Sequence, residues 1–509
     1  MNLRTLRGSM TALLICAVAA PALALNNSVP AIHGDLSRLL LGDGTGAVVG
    51  IIDSGVDDTH PALAGLDSLG NSRLVAEANF VTSEPGNTGD DVFGHGTWVA
   101  SAALSSDATY TGMAPDARFI NARVLDSGNG FPGDAQVRNG IGYAISQGAD
   151  ILNVSLNYSA PNSSGFSGLD LMLDWAAYSQ GVSCAVCAGN ISTGNGSQLV
   201  RSPGSAFNGV TVGRTTANFS HVSSDSATAF TSDGRMKPDV VAPGTGLTLA
   251  NDDWEGAAAD WDTNLPGCSF ATPHVAGLMA QQIEAGAVHG LSTDPLVIKA
   301  TMMNSADKIP NKQNNPWEPS SATNLGGVLT ATQPLDTHSG AGQVDGLVLA
   351  AQYLAGEMAP GLVDPIGWDL NSIGGGQFID YVVDPNLILG STLTATLTWY
   401  RHVGRTDNGN GIIDTFDSFF VQQSLSDLDL QILRNGTLVA ESTSNLDNVE
   451  HLYLDVDTSA QYTLRVSGFN VFGGTEQFAL AWYGTPVPEP AGLSLGLLVA
   501  LFSFRRRRR

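Results

Sequence analysis

The sequence predicts an α/β domain, a parallel sheet with helices on both faces, followed by a smaller all-β sandwich. Residues 45–355 alternate short apolar runs with longer stretches of helical spacing, the pattern of strand–helix–strand units around a parallel sheet. Beyond residue 357 the texture changes to period-two alternation punctuated by Gly, Asn and Asp. With 509 residues, 43% of them hydrophobic and only 14% charged, the chain has apolar side chains enough for cores of that size.

From the N-terminus, residues 1–24 read as an export signal: basic Arg4 and Arg7, an apolar run from Leu13 to Ala20, and Ala22-Leu23-Ala24 as a small-residue cleavage site. The α/β domain is expected over 25–357. Its buried strands are Ala47 to Ile52, Phe119 to Leu125, Ile151 to Leu156 and Val182 to Ala188, with helical spacing over Ala135 to Gly148 and Leu169 to Gln180. Cys184 and Cys187 share one strand and, three apart, point to opposite faces. With Cys268 and no second Cys-x-x-Cys pair they suit neither a disulfide scaffold nor a zinc site, so they are expected to be small core residues. The sandwich is expected over 358–485, from the runs Leu393 to Trp399, Leu428 to Leu433, His451 to Val456, Tyr462 to Val466 and Gln477 to Trp482.

Residues 486–509 hold Val487-Pro488-Glu489-Pro490, an apolar stretch from Ala491 to Phe504, and Arg505 to Arg509. The apolar stretch falls short of the roughly 20 residues of a spanning helix, and the arginines would stay on the cytoplasmic side. These ordered elements resemble the PEP-CTERM sorting tail of Gram-negative bacteria. That resemblance implies an exosortase-type sorting peptidase at this end, signal peptidase at the other, and an extracellular or cell-surface location with a transient membrane anchor. A plain tail anchor is the alternative. Lys and Arg number 23 against 48 Asp and Glu, a net charge of −25, and seven of the arginines lie in the two end segments. A body that acidic excludes a general electrostatic grip on nucleic acid or anionic lipid.

Three segments carry chemistry. Gly50-Ile-Ile-Asp53-Ser-Gly55-Val-Asp57 places an acid at the carboxyl end of a buried strand, where open α/β sheets build their sites. Gly94-His95-Gly96-Thr97-Trp98 flanks a histidine with glycines that permit close approach of another backbone. Gly267-Cys268-Ser269-Phe270-Ala271-Thr272-Pro273-His274 puts a serine just before a helix whose early Pro273 has no amide hydrogen to lose. A hydroxyl there gains from the helix dipole and free amides once it becomes an oxyanion centre. Singly, each has a bland reading: a turn aspartate, a core histidine, an N-cap serine. Together they keep the order Asp, His, Ser, one of the chain orders in which a single triad geometry recurs.

The surrounding words, "IIDSGVD", "GHGTWVA" and "GCSFATPHVAG", resemble the subtilase (subtilisin-like) serine peptidase family. The resemblance continues through "GMAPDARFINARVLD", "GADILNVSLN", "KPDVVAPGT" and "GAGQVD" and covers residues 45–355. It implies Ser269 as nucleophile, His95 as general base and then acid, and Asp53 as the group orienting the imidazole. It implies further an asparagine side chain in the oxyanion hole, here Asn190 in Cys187-Ala188-Gly189-Asn190. Ser155-Leu156-Asn157 and Ala188-Gly189 would be the two backbone walls that bind an extended polypeptide substrate as an added strand. No cofactor is required for such chemistry.

Several positions depart from the family pattern. Cys268 stands where threonine is usual, and Asn157 replaces a glycine in the substrate-binding strand. Residues 25–52 leave no room for the inhibitory prodomain most secreted members carry, which implies folding without such a helper or an enzyme not held as a zymogen. Structural calcium is expected in some members. Thr406-Asp-Asn408-Gly-Asn410-Gly-Ile-Ile-Asp414-Thr-Phe-Asp417 has the look of a calcium loop, with Asn408, Asn410, Asp414 and Asp417 as oxygen donors; a solvated acidic hairpin tip is the equal alternative. No Gly-x-Ser-x-Gly elbow supports an α/β-hydrolase esterase. The non-enzyme alternative is an inactive subtilase-fold adhesin binding through its sandwich.

Overall fold

The computed structural model describes residues 27–86, 88–131, 133–158, 164–191, 199–255 and 260–484. The expected export signal and sorting tail lie outside them. No helix among the described residues is long and apolar enough to cross a membrane.

Seven strands form the parallel sheet expected from the sequence. In chain order its strands are β1 (Val48–Asp53), β2 (Leu74–Asn79), β3 (Arg118–Arg123), β4 (Ile151–Val154), β5 (Ser183–Cys187) and β6 (Val210–Thr215), with Val240–Pro243 at the far edge. In space they run β2-β3-β1-β4-β5-β6 and then that edge strand, all pairs parallel. The pleat sorts β1 between two cores. Val49 and Ile51 join a cluster with the helices His95–Leu104 and Cys268–His289. Val48 and Ile52 join another with the helices Asp134–Ser146 and Gly168–Gln180. Both faces are covered, as continuous apolar strands require.

The helix Cys268–His289 is buried almost throughout its first four turns. It begins at Cys268, so Pro273 sits in the second turn rather than at the first helical position. Its missing N–H therefore does cost a bond, the one to the Ser269 carbonyl four residues earlier. The Ser155 hydroxyl replaces it, donating to that carbonyl at 2.8 Å.

The C-terminal part is a two-sheet sandwich. One sheet orders Ile366–Gly374, Thr475–Tyr483, Thr392–Trp399 and Val449–Asp455, all antiparallel. The other contains Thr437–Ser442, Asp427–Arg434, Tyr462–Asn470, Phe378–Val383 and Gly361–Val363. A hairpin from earlier in the chain, Ser321–Leu325 and Val328–Gln333, extends this second sheet by pairing with Thr437–Ser442. The sandwich has its own core around Trp399, Trp482, Tyr381 and Tyr462. It also shares a core with the α/β part, where Trp368, Tyr400, Ala479 and Ala481 pack with Leu296, Val297, Ala300 and Tyr353.

Candidate active site

Asp53 ends β1 and is fully buried. Its Oδ1 lies 2.6 Å from His95 Nδ1 and also accepts from the Ser54 amide at 2.8 Å. The helix that carries His95 comes this close because its second residue is glycine: a Cβ at Gly96 would stand 1.9 Å from the Gly55 carbonyl oxygen. Asp91 fixes the helix start, accepting from the Gly94 amide and from the amide and hydroxyl of Thr97. The His95 ring packs beside Phe270, centroids 5.6 Å apart, and Trp98, at 6.4 Å. Burial pushes the imidazole pKa down, but Asp53 and its hydrogen bond, with Asp91 behind, outweigh it and leave the pKa above the ordinary histidine value.

Ser269 is the second residue of its helix, in the turn whose N–H groups lack intrahelical acceptors. Its hydroxyl donates to the Ser155 carbonyl at 3.1 Å rather than to the imidazole. Nucleophile–base hydrogen bonds are often long or misaligned without substrate and tighten in the reacting complex. Asn190, exposed just beyond β5, accepts the Cys268 amide on Oδ1 at 3.0 Å, which leaves its Nδ2 group as donor. Thus Asp53, His95, Ser269 and Asn190 converge from four separate segments at the carboxyl end of the sheet. Ser155, Leu156 and Asn157 follow β4, and Ala188 and Gly189 follow β5, so the two expected walls flank Ser269.

The cysteines are a correction. Cys187 and Cys268 form a disulfide, joining the end of β5 to the residue before Ser269. They lack a local signal because they are 81 residues apart and meet only once the helix packs across the sheet. Cys184, on the opposite face of β5, is free and buried, as expected of a core residue. Sequence reasoning also missed Asp91, an acid whose capping role follows from its place before Gly94-His95.

The segment 406–417 forms the tip of the hairpin Val403–Thr406 and Ser418–Val421. Asp417 pairs with Arg405 at 2.6 Å and accepts from the amides of Asn408 and Asp414. Asn410 Nδ2 donates to Asp414 at 2.8 Å, and the Asn408 and Asn410 side chains accept amides of their own turn. The tip docks on the helix Asp134–Ser146: Arg138 donates to the Asp417 carbonyl, and Asn139 accepts the Thr415 amide at 2.9 Å. Among the described residues no group of three or more His, Cys, Asp or Glu is arranged to hold a metal ion.

Residues 44–335 match the model of the subtilase family. Thermitase from Thermoactinomyces vulgaris is 32% identical over 272 residues, 53% of this chain and 84% of that protein. Subtilisin E from Bacillus subtilis (strain 168) is 34% identical over 241 residues, 47% of this chain and 55% of that one. Pyrolysin from Pyrococcus furiosus is 32% identical over 225 residues, covering 39% of this chain and 16% of the relative.

Proposed function

The chain belongs to the subtilase family and is a serine-type endopeptidase, and on that premise we propose that Asp53, His95 and Ser269 are its triad, with Asn190 in the oxyanion hole. The observation that carries the assignment is the buried 2.6 Å contact between Asp53 and His95, set beside a serine in the first turn of a buried helix. Asp53 accepts the Nδ1 proton and so presents unprotonated Nε2 to the nucleophile. His95 takes the Ser269 proton as Oγ attacks the scissile carbonyl, then gives it to the departing amine. The resulting acyl-enzyme is opened by water along the same path. Asn190 Nδ2 and the Ser269 amide receive the oxyanion, stabilising charge that develops only in the transition state.

Polypeptides are the substrates in this reading, lying along 155–157 and 188–189. The end segments assign export, with signal peptidase acting near residue 24 and an exosortase-type peptidase acting in 486–509 at the cell surface.

Hydrolysis of a denatured protein substrate tests the assignment. Ser269→Ala is expected to abolish turnover in a folded protein. Asn190→Ala should lower kcat by about 10²–10³ with little change in KM, a magnitude measured on subtilisin itself. Full activity in either variant would refute the corresponding role.

A further inference from the structure

β4 and β5 are parallel neighbours, paired from Ile151 with Ser183 to Val154 with Val186. Beyond their carboxyl ends the chain continues as 155–158 on one side and 188–190 on the other, with Ser269 between. A peptide acylating Ser269 while its backbone lies along 155–157 directs the side chain of its acylating residue into this cleft. One side chain already spans it. Asn157 Nδ2 donates to the Cys187 carbonyl at 2.7 Å and to the Arg201 carbonyl at 3.3 Å. Its Oδ1 stands 3.4 Å from where a Cβ on Gly189 would be, so the carboxamide lies against the opposite wall.

Neither side of this brace is free to retreat. Cys187 is tied by its disulfide to Cys268. The 201–202 segment is tied back by the Tyr158 amide, which donates to the Ser202 carbonyl at 2.9 Å. Gly189 has φ +113°, and a Cβ there would also lie 3.3 Å from Ala227. Swinging the Asn157 side chain out would take the donor from two carbonyls at once, and partly buried acceptors resist that.

We propose that Asn157 is a specificity-determining residue: its carboxamide closes the cleft and restricts the residue before the scissile bond to glycine, alanine or serine. This rests on the reading of Ser269 as nucleophile. Large aliphatic and aromatic side chains are excluded by the brace, not by the sheet beneath it.

The test uses peptidyl p-nitroanilides that differ only in the residue before the cleaved bond, Gly, Ala, Leu or Phe, with wild type and Asn157→Gly. A fluorophosphonate titration of Ser269 counts active sites in each. Wild type is expected to prefer Ala to Phe by at least about tenfold in kcat/KM, since even one methylene in a pocket is worth about 10–200-fold. Asn157→Gly should narrow that ratio at least about tenfold, chiefly by gaining on Phe. A wild type that cleaves Phe as well as Ala overturns the proposal even if the variant fails to fold. So does a titratable Asn157→Gly enzyme with an unchanged ratio. A wild type that takes no label and cleaves no member of the panel overturns the nucleophile assignment, and this proposal with it.

Discussion

At the scale of single residues, the proposed chemistry depends on a neutral imidazole held by a buried carboxylate. Because Asp53 and Asp91 raise the His95 pKa against the effect of burial, the acid limb of kcat/KM should fall above pH 6.5, with activity growing as pH rises through it. Asp53→Asn removes the main raising influence and leaves desolvation, so the limb should move to lower pH while kcat drops by about 10⁴. A limb that stays in place would separate Asp53 from His95. The linked stability runs the other way: protonated His95 beside Asp53 supports the fold at low pH, and that increment fades as pH climbs through the raised pKa. The candidate residues were legible in the sequence because each lies in a contiguous word with its own local logic, and the structure pairs Asp53 with His95. Gly96 announced a close backbone approach, and the structure has one. Cys187 and Cys268 were not legible, since nothing near either reveals a partner 81 residues away.

At the scale of elements, the strand and helix periods located the parallel sheet closely: the expected run from Ile151 begins β4, and the spacing over Leu169 to Gln180 is the helix Gly168–Gln180. What periodicity left out was cooperation between elements. Ser155, on the loop after β4, completes the helix that Pro273 interrupts, and the same loop carries the Ser269 contact. The 406–417 hairpin is a second case. Its alternating Asn and Asp suit a cation loop or a capped turn equally well; in the structure Asp417 pairs with Arg405, and Asn408 and Asn410 accept amides of their own turn. Its docking relies on Gly142, where a Cβ would come within 1.9 Å of the Ile413 carbonyl. Gly142→Ala should therefore destabilise the protein by about 1–3 kcal/mol, read as a lower Tm. Added calcium should leave the wild-type Tm unchanged; a rise that Asp417→Ala abolishes would restore the cation loop.

At the scale of the whole molecule, the change of texture near residue 357 announced two folds without revealing how they meet. Strand alternation shows which side chains share a face but not what covers that face. Here Trp368, Ala479 and Ala481 turn toward the helices Pro295–Asn304 and Gly346–Ala355, and the hairpin 321–333 crosses into the sandwich sheet. Arg401 of the sandwich pairs with buried Asp174 of the helix Gly168–Gln180. Calorimetry of residues 25–485 should accordingly show one cooperative transition, whereas two separated transitions would mean the shared core contributes little. The enzyme assignment itself is tested most directly by treating the folded protein and Ser269→Ala with a fluorophosphonate probe and mapping the modified peptide. Labelling confined to Ser269, and absent from the variant, is the predicted result. A folded wild type that takes no label would contradict the triad and leave an inactive shell carrying a sandwich.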